Sequence, residues 1–169
     1  GVDFSGKRVG QIGTGSTGIQ AAPVIAETAA HLTVFQRTAN YSVPARNGPL
    51  SAEFQQYVKN NTAEIRRIMH STPNGHPFTI SDRLALETSP AERLAIYGAA
   101  WEKGGLQFRG TFRDLLMDKA ANDTAATFLC DKIRAIVKDP KTAAMLADID
   151  HPYAAKRPPI DTHYFETFN

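Results

Sequence analysis

The sequence predicts an α/β fold: a parallel β-α-β unit at the start, then a long stretch that is mainly helical. Three observations predict it. Two short strand candidates, residues 7–12 and 31–36, flank a segment with helical apolar spacing. The glycine pattern Gly13-Thr14-Gly15-Ser16-Thr17-Gly18 lies between the first strand and the helix. From residue 51 to about 148, apolar residues recur at helical spacing, broken by Pro and Gly.

Each element has its own signal. Residues 7–12 read as a strand ending at a glycine. Residues 19–30 read as a helix, with Ile19, Ala22, Ile25 and Ala26 on one stripe. Pro23 is placed near its start, where a missing N–H is best tolerated. Residues 31–36 are β-branched and aromatic, as strands prefer. The whole spans about thirty residues, the length a parallel crossover needs. Residues 40–49 hold Pro44, Pro49, Gly48 and two asparagines and read as a loop. Phe54, Tyr57, Val58, Ile65, Ile68 and Met69 then follow helical spacing, and Pro73 and Gly75 mark a break. Ser89-Pro90-Ala91-Glu92 is a helix start, and Gly104-Gly105 a stop. Two more helices are expected over 112–120 and 123–137, and a short last one over 141–147, capped by Asp139-Pro140. The tail from 151 to 169, with Pro152, Pro158 and Pro159, reads as extended loop.

Composition narrows the function classes. The chain has 169 residues, 42% hydrophobic and 21% charged, which fits a globular protein with a real core. A net charge of +2 without a dense Lys/Arg run argues against a nucleic-acid partner. A single cysteine, Cys130, leaves no internal disulfide and fits a reducing, cytoplasmic setting. No run approaches 18 apolar residues, so no membrane span is expected. The start has neither Met nor an apolar signal region, and the chain is expected to be a piece of a longer one.

The glycine pattern carries the chemistry. A helix N-terminus offers unpaired N–H groups and a partial positive charge, so it suits a pyrophosphate. Gly13 permits the tight turn out of the strand, Gly15 lets phosphate approach the backbone, and Gly18 lets the helix pack on the strand. Thr14, Ser16 and Thr17 add hydroxyl donors. The strand-turn-helix context strengthens the motif. After the second strand, sites for NAD place a carboxylate to accept from the ribose 2′-OH. Here stand Gln36-Arg37-Thr38. A guanidinium suits a 2′-phosphate, so the expected nucleotide is NADP rather than NAD.

These residues resemble a known family. The stretches 1–9 and 12–20, then 34–44, then Ala155-Lys156-Arg157-Pro158 with 161–169, resemble the NADPH-binding region of Baeyer–Villiger monooxygenases. The helical middle resembles the insertion such enzymes carry. Gln11 departs from the pattern, which has an apolar residue in that strand. The resemblance implies a partial Rossmann-type NADP-binding domain with a large helical insertion: residues 1–49, the insertion 50–150, and a return segment 151–169. It implies NADP(H) bound by Gly13 through Gly18, Ile19, Gln20, Arg37, Thr38 and Lys156. FAD would be held mainly outside this chain, since neither a second glycine fingerprint nor the family's FxGxxxHxxxW segment occurs here.

In such enzymes NADPH reduces FAD, the reduced flavin takes up O2, and the resulting peroxide attacks a ketone to give an ester or lactone. An arginine stabilises the developing negative charge, a role that needs a permanent cation. The resemblance assigns that role to Arg157. The implied partners are a small ketone, O2 and the flavin domain. Two other readings stand beside this one. A related flavin enzyme oxygenating nitrogen or sulfur would share the glycine turn and Arg37, although Lys156-Arg157-Pro158 favours the ester-forming kind. A nucleotide-binding module without chemistry is the other, and a flanking flavin domain would exclude it.

The remaining chemistry-bearing residues read as structural. His70 and His76 lack a third ligand at metal spacing. His31, His151 and His163 read as surface or capping residues. Cys130 reads as a buried thiol beside Phe128 and Leu129. Leu94, Ile96, Tyr97 and Trp101 read as helical core, and Arg66, Arg67 and Arg109 as solvated charges. Asn40 and Tyr41 are candidates to line the nucleotide groove.

Overall fold

A computed structural model describes residues 1–72 and 75–169; Pro73 of the expected break lies outside them. The fold is α/β, with six α-helices and four short strands among the described residues.

The first unit is built as the sequence indicates. β1 (Arg8–Ile12) and β2 (His31–Phe35) pair in parallel, with Arg8 opposite His31 and Ile12 opposite Phe35. Helix α1 (Ser16–Ala26) makes the crossover. It starts earlier than the spacing predicts, directly at the glycine turn. It also ends earlier, because the chain is drawn back to β1. The Ala30 N–H donates to the Lys7 carbonyl, and Ala29 bridges to Ser5. Pro23 therefore lies inside α1, not near its start. Its ring leaves the Ile19 carbonyl without the usual helical donor, and the helix ends one turn later.

The helical stretch differs from its prediction in one place. Residues 112–120 do not form a helix of their own. The chain turns through 113–117, and a single helix α5 (Lys119–Ile136) follows. Phe112 and Leu115 are fully buried there, and the Asp114 carboxylate accepts the Ala85 N–H, which fixes the turn. Asp118 caps the new helix by accepting the Ala121 N–H at 2.7 Å. The other starts match: Ser89 caps α4 (Pro90–Lys103) and Asp139 caps α6 (Pro140–Ala147). Gly104, where α4 stops, has φ of 73°, and a Cβ there would run into the Pro44 carbonyl. Helices α2 (Ala52–Asn60) and α3 (Thr62–Ser71) bury no side chain, and Phe54 and Tyr57 are more than half exposed. Leu94 is likewise exposed, unlike Tyr97 and Trp101 on the same helix.

The expected loop over 40–49 contains a two-residue strand, β3 (Val43–Pro44). It pairs in parallel with β4 (Ile160–Asp161) from the tail. Asn122 fastens the tail to α5. Its amide donates to the carbonyls of Leu115 and Tyr153 and accepts the Tyr153 N–H, all within 2.9 Å. One buried cluster gathers Tyr97, Trp101, Phe108, Phe112, Leu129 and Tyr153. A second joins Ile19 and Ala22 of α1 to Ile133, Leu146, Tyr164 and Phe165. These contacts place the tail beside the glycine turn.

Candidate nucleotide-binding site

The glycine turn is tight and anchored at both ends. The Gly13 N–H donates to the Phe35 carbonyl at 3.0 Å, tying the turn to the end of β2. Gly13 has φ of 97°, a conformation L side chains rarely adopt. A Cβ on Gly18 would collide with the Gly13 carbonyl, so the protein's own packing requires glycine there. Gly15 is different. Among the described residues no atom lies within 4 Å of where its Cβ would sit, and its backbone is extended (φ −75°, ψ −176°). Folding does not require glycine at that position, but a ligand lying against the backbone would.

The start of α1 is prepared for an anion. No side chain caps it, and no acidic residue stands in its first turn. Ser16 and Thr17 there are exposed.

A groove of about 450 Å³ opens at the C-terminal ends of the two parallel strands. Gly13, Thr14 and Gly15 line one side, Arg37 and Thr38 another, and Lys156 comes in from the tail. Among the described residues neither the Arg37 guanidinium nor the Lys156 ammonium enters an ion pair. The groove lining thus includes two basic residues and, among the described residues, no carboxylate. Ile12, Phe35, Ala39 and Asn40 complete the wall. The signal for the first three was topological: crevices in parallel sheets lie beyond the carboxyl ends of the strands.

The remaining candidates lie around this groove. Gly18 packs beneath the turn. The Ile19 side chain is 2% exposed in the core, and its N–H is spent on the Gly15 carbonyl. Gln20 is exposed on α1. Arg157 is exposed, and its side chain is not in the groove lining; its carbonyl accepts from the Asn40 amide at 3.4 Å. Asn40 therefore connects the groove wall to the segment carrying Lys156 and Arg157. Tyr41 is buried elsewhere, donating its hydroxyl to the His151 carbonyl. Burial pushes that hydroxyl's pKa up to about 12.

Behind the groove, Asp161 of β4 is buried. Its Oδ2 lies 2.5 Å from the Ser42 hydroxyl, and its Oδ1 accepts the Tyr164 N–H. Burial raises its pKa, and these hydrogen bonds oppose the rise. Arg109 is half-buried rather than solvated, with one guanidinium nitrogen 3.4 Å from His76. Loss of solvation lowers the His76 pKa, and Arg109 adds to that. Cys130 is half-buried, and burial raises its thiol pKa. Among the described residues no helix is long and apolar enough to cross a membrane.

Fold and groove together define an α/β protein with a phosphate-type glycine turn at the ends of parallel strands. The comparisons are more particular. No family model matches the chain. A Baeyer-Villiger monooxygenase of Pseudooceanicola batsensis is 44% identical over 172 residues, covering all of this chain and 31% of the relative. A phenazine N-monooxygenase of Lysobacter antibioticus is 42% identical over 99% of this chain and 31% of its own length. The structure of an oxidized steroid monooxygenase bound to NADP superposes with a TM-score of 0.95 at 51% identity, over the whole chain and 32% of that protein. The chain spans about a third of the length of the relatives it matches. Over its whole length it is similar to about a third of each of these monooxygenases.

Proposed function

We propose that this chain is the NADPH-binding portion of a flavin-dependent Baeyer–Villiger monooxygenase that converts ketones to esters or lactones with O2, acting in the cytoplasm. Residues 1–49 and 151–169 are the two parts of a partial Rossmann-type domain, and 50–150 is its helical insertion. One observation carries the reading: the glycine turn, the end of β2 and Lys156 meet in a single cationic groove, although 119 positions separate Arg37 from Lys156.

The residues fit the nucleotide. The uncapped first turn of α1, with Thr14, Ser16 and Thr17, receives the pyrophosphate. Gly15 leaves the space, while Gly18, Ile19 and Gln20 hold the turn from the helix side. Arg37 and Thr38 take the 2′-phosphate, with Lys156 beside them. When bound, the nucleotide supplies a hydride to FAD, which is held mainly by parts of the enzyme outside this sequence. Arg157 supplies a permanent positive charge for the oxygenation step, one position from Lys156 in the groove.

The test is titration of the intact protein with NADP+ and NAD+. NADP+ is expected to bind more tightly. Arg37→Ala is expected to weaken NADP+ by roughly tenfold or more, on the scale of a charge-assisted hydrogen bond, and to leave NAD+ unchanged. Equal affinity for both nucleotides overturns the 2′-phosphate clamp. Arg157→Ala is expected to abolish ketone oxygenation while NADP+ still binds; unchanged ester formation removes Arg157 from the chemistry.

A second reading, oxygenation of nitrogen, has one specific support. The phenazine N-monooxygenase is 42% identical over 99% of this chain, so similarity along the chain does not separate the two reactions. Product analysis with a cyclic ketone and an aromatic N-heterocycle decides between them.

A further inference from the structure

We infer that Gln11, the polar residue in β1, is a positioning residue for the nucleotide's phosphates; this rests on the nucleotide reading above. The Gln11 side chain points toward α1 and lies under the glycine turn. Its Nε2 donates to the Gly13 carbonyl at 3.2 Å and to the Gly18 carbonyl at 3.1 Å. Both amide hydrogens are thus used across the strand-to-helix junction. Among the described residues Gln11 is the sole hydrogen-bond donor to the Gly13 carbonyl. Turning the amide over would set its oxygen against two carbonyl oxygens, so the donor assignment is forced. Gln11 Oε1 is buried and has no hydrogen-bond partner among the described residues.

The consequence falls on the next peptide group. The Gly13–Thr14 bond is trans, so its C=O and N–H point in opposite directions. Holding the Gly13 oxygen down onto Gln11 aims the Thr14 N–H away from the core, on the side where Thr14 lines the groove. An apolar side chain at residue 11 fills the same space but offers the Gly13 carbonyl no donor. The same amide braces Gly18 from below. The hypothetical Cβ of Gly18 lies 3.1 Å from Gln11 Nε2 as well as against the Gly13 carbonyl. Turn, helix start and strand are locked by one side chain.

The test separates phosphate positioning from general damage. Gln11→Met keeps the approximate volume and removes both donors. Gln11→Asn keeps the amide but withdraws it from both carbonyls, and it serves if the Met protein does not fold. The intact protein and each variant are titrated with NADP+ and with adenosine 2′-monophosphate. The smaller ligand has the 2′-phosphate but no pyrophosphate. The expected result is NADP+ affinity about tenfold weaker, the scale of one lost hydrogen bond, with adenosine 2′-monophosphate unchanged. Unchanged NADP+ affinity overturns the proposal, and so does an equal loss for both ligands. Failure of the wild-type protein to bind either ligand overturns the nucleotide reading itself, an outcome distinct from the other two.

Discussion

Phe108 in the helical body is 1% exposed, while Phe35 at the end of β2 is 56% exposed and Ile12 at the end of β1 is 91% exposed. The body is a finished core. Tyr97 has Phe108, Phe112 and Phe128 around it at centroid distances of 5.4 Å. The β-α-β corner packs α1 on one face of its two strands and leaves the other face open. The residues of the groove come from the corner and the tail, and none from the body. The difference separates two jobs. Aromatic packing gives the stability, and the corner gives up burial to keep backbone N–H groups and two cations accessible.

The comparison breaks first on truncation. Phe108→Ala is expected to cost about 3–5 kcal/mol, the usual range for a buried phenylalanine. Phe54→Ala on exposed α2 is expected to stay within about 0.5 kcal/mol. Urea unfolding of the intact protein measures both. Similar costs at the two positions would mean that α2 is covered as thoroughly as the core.

The two glycines sharpen it. Gly18→Ala drives a Cβ into the Gly13 carbonyl, and backbone cannot yield cheaply. The expected destabilisation is about 1–3 kcal/mol, with loss of nucleotide binding. Gly15→Ala meets no protein atom. Its stability should change by less than about 0.5 kcal/mol while NADP+ affinity falls about tenfold or more. Thermal melts beside titrations separate the two. If Gly15→Ala binds as well as wild type, the space at Gly15 is not a phosphate site.

These contrasts also mark what was legible in the sequence. The glycine turn, both long strands and the caps Ser89 and Asp139 were readable because each acts within a few residues of itself. The ends of α4 and α6 were readable too, but the extents of α1 and α5 were not. The end of α1 depends on Lys7 accepting from Ala30, and the turn over 113–117 depends on Asp114 reaching Ala85. Neither partner lies within helical spacing. β3 and β4 were missed because a two-residue strand has no period to detect. The cationic side of the groove was legible residue by residue, through Arg37 and Lys156. That both line one groove follows from tail contacts such as those of Asn122 and Asp161. Gln11 was visible only as a polar residue in the wrong place, and its role needed the geometry.

A small effect, on the scale of one hydrogen bond, probes the seam between the two regions. The Ser42 hydroxyl has one hydrogen and two acceptors near it, Asp161 Oδ2 at 2.5 Å and the Pro159 carbonyl at 3.3 Å. With Asp161 ionised, one acceptor goes without. With Asp161 protonated, its own hydrogen bonds Ser42, and the Ser42 hydrogen turns to Pro159. This agrees with the raised pKa that burial gives Asp161. The sign follows: a carboxyl with a raised folded-state pKa favours the fold most below its ordinary value of 3.8. That contribution is lost as pH rises through the higher folded-state value. Asp161→Asn keeps an oxygen for the Tyr164 N–H and supplies a permanent donor to Ser42. The variant should therefore match or trail wild type in acid and gain on it as pH climbs to neutrality. The gain should be about 1 kcal/mol or less, the scale of one hydrogen bond. Thermal midpoints of both proteins across that pH range measure it. A wild type that gains on the variant toward neutral pH would mean that the ionised carboxylate, not the proton, holds β4 against β3.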